Sequence, residues 1–159
     1  MADPAARPSP AELADRIERL VDAPDEALRA SALPLADDLL AMGEAILEGW
    51  LVARGLVATQ ATAEGFRLLA LHRQAAAGDP SFNACRETCR ELVYRRNLVQ
   101  LAPDHPEAAA RLRLAAMVAR HLALFISGKL EQASFGEFCC SSRPLRNAAG
   151  AQATPPNSE

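Results

Sequence analysis

The amino-acid composition predicts an all-α protein. The 159 residues include 34 alanines and 22 leucines, against 13 valines, isoleucines and threonines together and seven aromatic residues. Alanine and leucine lose little side-chain freedom in a helix, whereas strands draw on β-branched and aromatic residues. Apolar residues also recur at steps of three and four, the period of an amphipathic helix. We therefore expect a single bundle of five or six helices, up-and-down-like in its connections, large enough to bury a core without disulfides.

Three segments are expected along the chain. Residues 1–8 are a flexible lead, residues 9–133 are the helical bundle, and residues 134–159 are a C-terminal segment. That last segment is expected to be largely disordered after about residue 141, because it is rich in Ser, Pro, Asn, Gly, Ala and Thr and offers little apolar surface to bury.

The first helix begins with a capping signature. Ser9 supplies a hydroxyl at the N-cap, Pro10 suits the first helical position, and Glu12 stands three residues after the cap. The apolar stripe of this helix ends before Pro24, and a short acidic helix is expected from Pro24 to Ala30.

The third and fourth helices are predicted from their apolar stripes. The third is expected between Pro34 and Gly55, with inward positions at steps of four, three, four, three and four. The fourth is expected between a threonine cap, Thr59 or Thr62, and Gly78, with Phe66, Leu69 and either Gln74 or Arg73 at its inner edge. The stripe of the third helix is Leu35, Leu39, Met42, Ile46, Gly49 and Ala53.

The fifth and sixth helices follow the same logic. Asp79 and Pro80 repeat the cap-plus-proline pattern for the fifth helix. Asp104 is expected to cap the sixth, which should run to about Gln132 and is apolar nearly all round in its middle. Such a pattern is typical of a central helix or of one that also meets another subunit. The stripe of the fifth helix is Phe82, Cys85, Cys89, Leu92, Arg96 and Val99.

The charges divide unevenly between the two halves of the chain. Residues 1–64 hold 12 acidic and 5 basic residues, and residues 65–159 hold 8 acidic and 12 basic residues, within a net charge of −3. So balanced a total argues against a polyanion-binding protein or a disordered acidic segment, but the halves can attract one another within a chain or between subunits. Arg96 stands in an apolar stripe and therefore needs a carboxylate partner, for which Asp37 and Asp38 are candidates.

The cysteines are the first candidate site. Cys85 and Cys89 are one helical turn apart and face inward, so they are either small core residues, which we favour, or ligands of a soft metal ion. If the fifth and sixth helices are antiparallel, His121 lies level with Cys85 and the chain beyond can return Cys139 to that level. The favoured interpretation needs no cofactor, and the alternative is a Zn²⁺ or Cu(I) site made by Cys85, Cys89, His121 and Cys139.

A redox role is a further hypothesis for the same residue type. Cys139 and Cys140 precede the expected tail, and the nearby Arg143 would favour the reactive thiolate. Redox sensing or a disulfide between subunits would follow. His72, which is flanked by Leu71 and Arg73, is expected to be a half-exposed structural histidine.

The remaining candidates are interaction residues. Trp50 falls one position past the stripe of the third helix, where it either widens the core or anchors a partner. The basic cluster of the fifth helix could contact protein or nucleic acid, but Glu87 and Glu91 interleave with it and favour a solvated face. The cluster is Arg86, Arg90, Tyr94 and Arg95.

Catalytic motifs are absent from the sequence. There is no Glu-x-x-His pair, no glycine-rich phosphate loop, no serine nucleophile elbow and no zinc-protease helix. The sequence therefore favours a non-catalytic accessory or regulatory module that acts through protein contacts, as a homodimer, in the cytoplasm, with no membrane span. The alternatives are a metal-binding or redox-sensing protein and, more weakly, a nucleic-acid-binding regulator; nucleic acid is not the expected partner.

Overall fold

The computed structural model describes residues 8–136, which form six α-helices and one 3-10 segment. No strand occurs in these residues, so the predicted all-α bundle is confirmed. The flexible lead and disordered tail that the composition predicts, with Cys139 and Cys140, lie outside the described residues. The helix from Ala108 ends at Gly136, four residues past its expected end at about Gln132. The elements are α1 (Pro10–Val21), α2 (Asp25–Ala30), α3 (Ala32–Ala53), α4 (Arg67–Gly78), the 3-10 segment (Pro80–Cys85), α5 (Arg86–Leu101) and α6 (Ala108–Gly136). One compact unit ends at Ile126, and the turns of α6 from Ser127 onward belong to a second unit.

The start of α1 has the capping box that its sequence predicts. The Glu12 backbone N–H donates to the Ser9 hydroxyl at 3.1 Å, and the Ser9 backbone N–H donates to the Glu12 carboxylate at 3.3 Å. Two backbone donors that the helix itself cannot satisfy are thereby paired.

The end of α3 is set by Gly55, as expected. Gly55 has a φ of +77°, a left-handed conformation that glycine adopts without a Cβ penalty. The Leu56 N–H bonds the Leu51 carbonyl and the Gly55 N–H bonds the Val52 carbonyl, both at 2.9 Å. These two bonds are the Schellman pattern, which satisfies carbonyls at a helix end.

The connection between α3 and α4 differs from the prediction. Residues 59–66 are not helical, and α4 begins only at Arg67. The Gln74 side chain accepts from the Thr59 N–H at 2.9 Å and donates to the Val57 carbonyl at 2.8 Å. The loop is therefore held alongside α4, so α3 and α4 lie parallel and depart from simple alternation of direction.

The inner edge of α4 is also rotated from the expected one. Phe66 and Leu69 are only half-buried. The buried positions of α4 lie on a neighbouring face of the helix. They are Leu68, Ala70, Leu71, His72 and Ala75.

Helix α3 lies at the centre of the unit and contacts α1, α2, α4 and α5. The middle of its predicted stripe is confirmed, since Leu39, Met42 and Ile46 are buried. Its ends are rotated, because Ala53 is exposed and Trp50 is buried instead of Gly49. The stripe drifts because a 22-residue α-helix has 3.6 residues per turn and does not keep a seven-residue repeat.

The stripe from the 3-10 segment through α5 is confirmed in its apolar members. Phe82, Cys85, Cys89, Leu92 and Val99 are all buried. The Asp79 cap is confirmed too, but it opens the 3-10 segment, accepting from the Ser81 N–H at 3.1 Å, and α5 starts six residues later.

Ion pairs within the chain join its acidic first half to its basic second half. The carboxylate of Asp37 lies 2.7 Å from Arg96, as expected for a guanidinium in a core stripe. Of the seven ion pairs that we describe, six join an acid of residues 1–64 to an arginine of residues 65–126. They are Arg67 with Glu44 and Glu48, Arg90 with Glu64, Arg96 with Asp37, Arg113 with Asp25, and Arg120 with Glu18.

Helix α6 runs antiparallel to α5, since the rings of Phe82 and Phe125 meet edge to face at 5.6 Å. On its other side, Arg113 donates to the Val21 and Ala23 carbonyls at the end of α1. Among the described residues, no helix has the length and apolarity that a membrane span needs.

Candidate functional site

A cluster of one imidazole and two thiols is buried where α4 meets the start of α5. His72, Cys85 and Cys89 are each less than a tenth exposed. The Phe82 carbonyl oxygen lies 2.7 Å from His72 Nε2 and 3.3 Å from Cys85 Sγ. One backbone acceptor therefore holds a ring nitrogen and a sulfur beside each other.

Local sequence explains how the cluster is assembled. His72 stands one turn after Leu68 and three residues before Ala75, so α4 turns it toward the interior with them. On the facing side, the 3-10 segment ends at Cys85, which is also the N-cap of α5. Four residues separate the two cysteines, which places them on one face of the helix.

The two thiols are not equivalent. The hydrogen bond from the Cys89 thiol, aided by His72 against the opposing effect of burial, lowers the pKa of Cys85 to about 5. The same hydrogen bond, together with burial, raises the pKa of Cys89. Cys85 is thus the sulfur that ionises and Cys89 the sulfur that keeps its proton.

His72 is coupled to the same pair. Its hydrogen bond with Cys85 raises its pKa, burial opposes that rise, and the Phe82 carbonyl supports it. An imidazole beside an ionisable thiol can accept the thiol proton, which is how thiol nucleophiles are activated.

The predicted metal site is not assembled by the described residues. His121 is exposed on α6 in a groove with Thr88 and Glu91, whereas Cys85 and Cys89 are buried. Within residues 8–133, no three His, Cys, Asp or Glu side chains are placed so that they could hold a metal ion together, and this includes His72, Cys85 and Cys89. The zinc or copper hypothesis depends on Cys139, which lies beyond the described part of the chain, and stays a prediction.

Cys140, the second redox candidate, also lies beyond the described residues.

The interaction candidates lie in three different settings. Trp50 is 5% exposed and stacks against Phe82, with 5.2 Å between ring centroids, so it belongs to the core. Arg95 pairs with Glu91 at 3.2 Å and lies over the exposed Tyr94 ring. The other two arginines, Arg86 and Arg90, face a surface cavity beside α4.

Helix α6 carries a second apolar face that residues 8–136 leave exposed. Its buried face follows steps of four, three, four, three and four at Ala108, Leu112, Ala115, Ala119, Leu122 and Ile126. Its exposed face follows steps of four, three, four and three. We call this face the α6 stripe; its members are Ala110, Leu114, Met117, His121 and Leu124. Leu114 and Met117 are each 42% exposed and Leu124 is 57% exposed, so the described part of the chain does not enclose α6 on all sides.

Sequence reasoning missed His72 as a member of the site. We expected it to be half-exposed, but it is 6% exposed. The available signal was its spacing, because Leu68, Leu71, His72 and Ala75 form a helical stripe. Placing Phe66 and Leu69 at the inner edge selects a different face of the helix, which leaves His72 outside the predicted stripe.

No protein-family model, curated protein or solved structure is similar to this chain.

Proposed function

We propose that this protein is a non-catalytic regulatory module that acts through protein contacts, and that its α6 stripe pairs with the α6 stripe of a second copy. The observation that carries the proposal is the exposure of Leu114, Met117 and Leu124 on one face of a helix. Large apolar side chains grouped on a surface mark contact sites.

The spacing of the α6 stripe fits a partner helix. Alternating steps of four and three are the seam that packs knobs into holes between two helices. From Ala110 to Leu124 the seam is about 21 Å long, at 1.5 Å per residue. A second copy of the chain offers the same seam, as a two-fold interface requires.

On the α1 side of the stripe, arginines of α6 are paired within the chain, which suits contact with a second copy. On the α1 edge, Arg113 pairs with Asp25 and Arg120 pairs with Glu18, each at 2.7 Å. Because both arginines are paired within the chain, neither brings an uncompensated charge to a second copy on that edge.

The α5 edge supplies a groove for an incoming side chain. It has a volume of about 240 Å³ and is lined mainly by apolar surface, including Leu114, Met117 and Val118. The Thr88 and Glu91 side chains form its other wall, and Glu91 is paired with Arg95. Apolar anchors that fill such grooves dominate interface energies.

The test is the oligomeric state of matched variants. We expect the purified protein to be a dimer by light scattering and sedimentation, and Met117→Glu to be a monomer with unchanged helical content. Leu101→Glu is the control, because Leu101 is 82% exposed and lies outside the stripe. A monomeric wild type, or a Met117→Glu protein that dimerises as well as Leu101→Glu does, would contradict the proposal.

The thiol cluster favours a second candidate function. We propose that Cys85 and Cys89 form a reversible disulfide in response to a peroxide. Residues four apart in a helix have Cβ atoms roughly 5–6 Å apart, more than the roughly 3.5–4.5 Å of a disulfide, so the bond needs a change of backbone at Cys85, the N-cap of α5. Because both sulfurs are buried, the reaction requires local opening of the start of α5.

The reaction balances without a cofactor. The Cys85 thiolate attacks one peroxide oxygen and the O–O bond breaks. The other oxygen departs as hydroxide, and Cys85 becomes a sulfenic acid. Cys89 then attacks the Cys85 sulfur, forming the S–S bond and releasing water. The proton held by His72 neutralises the hydroxide, so the two thiols are oxidised and the peroxide is reduced to two water molecules.

A Cys139→Ser, Cys140→Ser protein isolates this pair. Treatment with hydrogen peroxide should remove both remaining thiols together, lower the mass by two hydrogens and be reversed by a dithiol reductant. Adding Cys89→Ser should instead trap a sulfenic acid that a dimedone probe labels. Loss of one thiol only, or oxidation only after denaturation, would exclude this candidate.

A further inference from the structure

A cavity beside the thiol cluster has the charge of an anion-binding site. It lies between α4 and the start of α5, partly open to solvent, with a volume of about 220 Å³. Its polar walls come from two helices, the 3-10 segment and the loop before α4. The charged and polar lining residues are Glu64, His72, Arg73, Asn83, Arg86 and Arg90.

Of the three arginines that line this cavity, one is paired with a carboxylate and two are not. Arg90 pairs with Glu64 at 2.7 Å, which neutralises both groups. Arg73 and Arg86 have no carboxylate partner among residues 8–133. Elsewhere in these residues, arginines 67, 95, 96, 113 and 120 each bind a carboxylate, whereas arginines 16, 19, 29, 54 and 111 do not. Arg73 and Arg86 differ from those five because they share one cavity. The cavity therefore carries a net charge of +2 before any charge on His72 is counted.

The placement of the two unpaired arginines favours one compact ligand. Arg73 belongs to α4 and Arg86 is the first residue of α5, so they approach the cavity from different helices. Arg86 also stands at the helix end where the backbone dipole favours negative charge. Asn83 adds an amide that can donate to an anionic oxygen.

Charge and volume together select the ligand class. Guanidinium groups match phosphate and carboxylate oxygens with paired hydrogen bonds, and a net charge of +2 is balanced by one dianion. The volume lies below the roughly 300–1,000 Å³ of sites for larger ligands. A phosphomonoester or inorganic phosphate satisfies both conditions, whereas an acetate-like monoanion leaves one arginine unbalanced.

We infer that the cavity formed by α4 and the start of α5 binds a phosphate dianion, either free or as the phosphoryl group of a small molecule, through Arg73 and Arg86. This site does not depend on the α6 stripe or on thiol oxidation. His72 lies in its wall, so the bound anion would be next to the imidazole that contacts Cys85.

The test is calorimetric titration at constant ionic strength and at about pH 8, where a phosphomonoester is a dianion. Inorganic phosphate and glycerol phosphate are the two probes, and acetate is the monoanion control. We expect saturable binding of one phosphate per chain. Tighter binding of glycerol phosphate identifies an organic phosphate as the ligand, and equal or weaker binding identifies the free ion.

Substitutions separate this site from general attraction by a basic surface. Arg73→Gln and Arg86→Gln should each weaken phosphate binding by about 10- to 100-fold, the effect of losing a charged hydrogen bond. Arg16→Gln makes the same charge change on the exposed face of α1 and should leave binding unchanged. Because Arg73 and Arg86 are exposed, thermal unfolding should be little altered in any of the three variants.

Three results would overturn the inference. One is no saturable binding of phosphate up to about 10 mM, a concentration that detects even weak sites. Another is equal binding by the wild type and both cavity variants. The third is a single-stranded oligonucleotide that binds through Arg73 and Arg86 far more tightly than either phosphate and with a steep salt dependence, which would assign the surface to nucleic acid.

Discussion

The close approach of α5 to α3 at Gly43 yields a prediction that distinguishes two glycines of α3. A Cβ atom at Gly43 would lie 2.8 Å from Leu92 Cδ2 and 3.4 Å from Leu68 Cδ1, and both leucines are fully buried. A Cβ atom at Gly49 would meet nothing within 4 Å. The two glycines share one helix, so the intrinsic effect of alanine is the same at both.

The magnitudes follow from these contacts. Gly→Ala in a helix interior stabilises by about 0.8–1.0 kcal/mol, and Gly49→Ala should show this gain in full. At Gly43 the same gain is opposed by overpacking, which costs about 1–3 kcal/mol in a close-packed core. The free energy of unfolding of Gly49→Ala should therefore exceed that of Gly43→Ala by about 1–3 kcal/mol.

Urea unfolding followed by circular dichroism measures this difference. The midpoint should rise for Gly49→Ala and stay level or fall for Gly43→Ala, with the same slope in both. In thermal unfolding, a gain near 1 kcal/mol corresponds to a shift of about 2–4 °C for a chain of this size. Equal stabilisation by both variants would refute the close approach of α3 and α5 at Gly43.

Three further predictions concern thiol ionisation, partly buried charge and backbone conformation. In a protein without Cys139 and Cys140, the thiolate absorbance of Cys85 should rise near pH 5. Cys89→Ala should move this rise to higher pH, because it removes the hydrogen-bond donor to the Cys85 thiolate. Cys89→Ser should move it less, because the serine hydroxyl can still donate. Since the pKa of Cys85 is lowered from 9.0, its contribution to the free energy of unfolding is complete above pH 9 and is lost as the pH falls through about 5. The absence of any rise in thiolate absorbance below pH 7 would contradict this assignment. Arg67→Gln should destabilise by about 1–3 kcal/mol in urea, because it removes the guanidinium from two ion pairs with the partly buried carboxylates of Glu44 and Glu48. Arg95→Gln removes a more exposed pair within α5 and should cost only about 0.3–0.5 kcal/mol. Equal costs for the two variants would argue against the burial of the Arg67 pairs. Gly55→Ala should lower the free energy of unfolding by about 1 kcal/mol, because its φ of +77° is strained for alanine, and an unchanged midpoint would exclude the left-handed helix end.

The secondary structure was largely predictable because its signals are local. The capping box at Ser9, the helix end at Gly55 and the buried stripe from Phe82 to Val99 each depend on residues within a turn or two of one another. The partner of Arg96 was predictable for a related reason. A guanidinium in a core stripe needs a carboxylate, and Asp37, which binds it at 2.7 Å, stands in the acidic half of the chain.

The candidate sites required the tertiary structure. A loop takes the place of the expected first turns of α4, and the packing of α4 against the 3-10 segment buries His72 beside Cys85. Sequence periodicity shows that the middle of α6 is apolar nearly all round, but it does not show which face its own chain covers, because that depends on where α1 and α5 pack. Likewise, Arg73 and Arg86 share a cavity only because α4 lies against the start of α5. Local spacing determined the helices and their inward residues, whereas contacts between residues far apart in sequence decided which side chains meet.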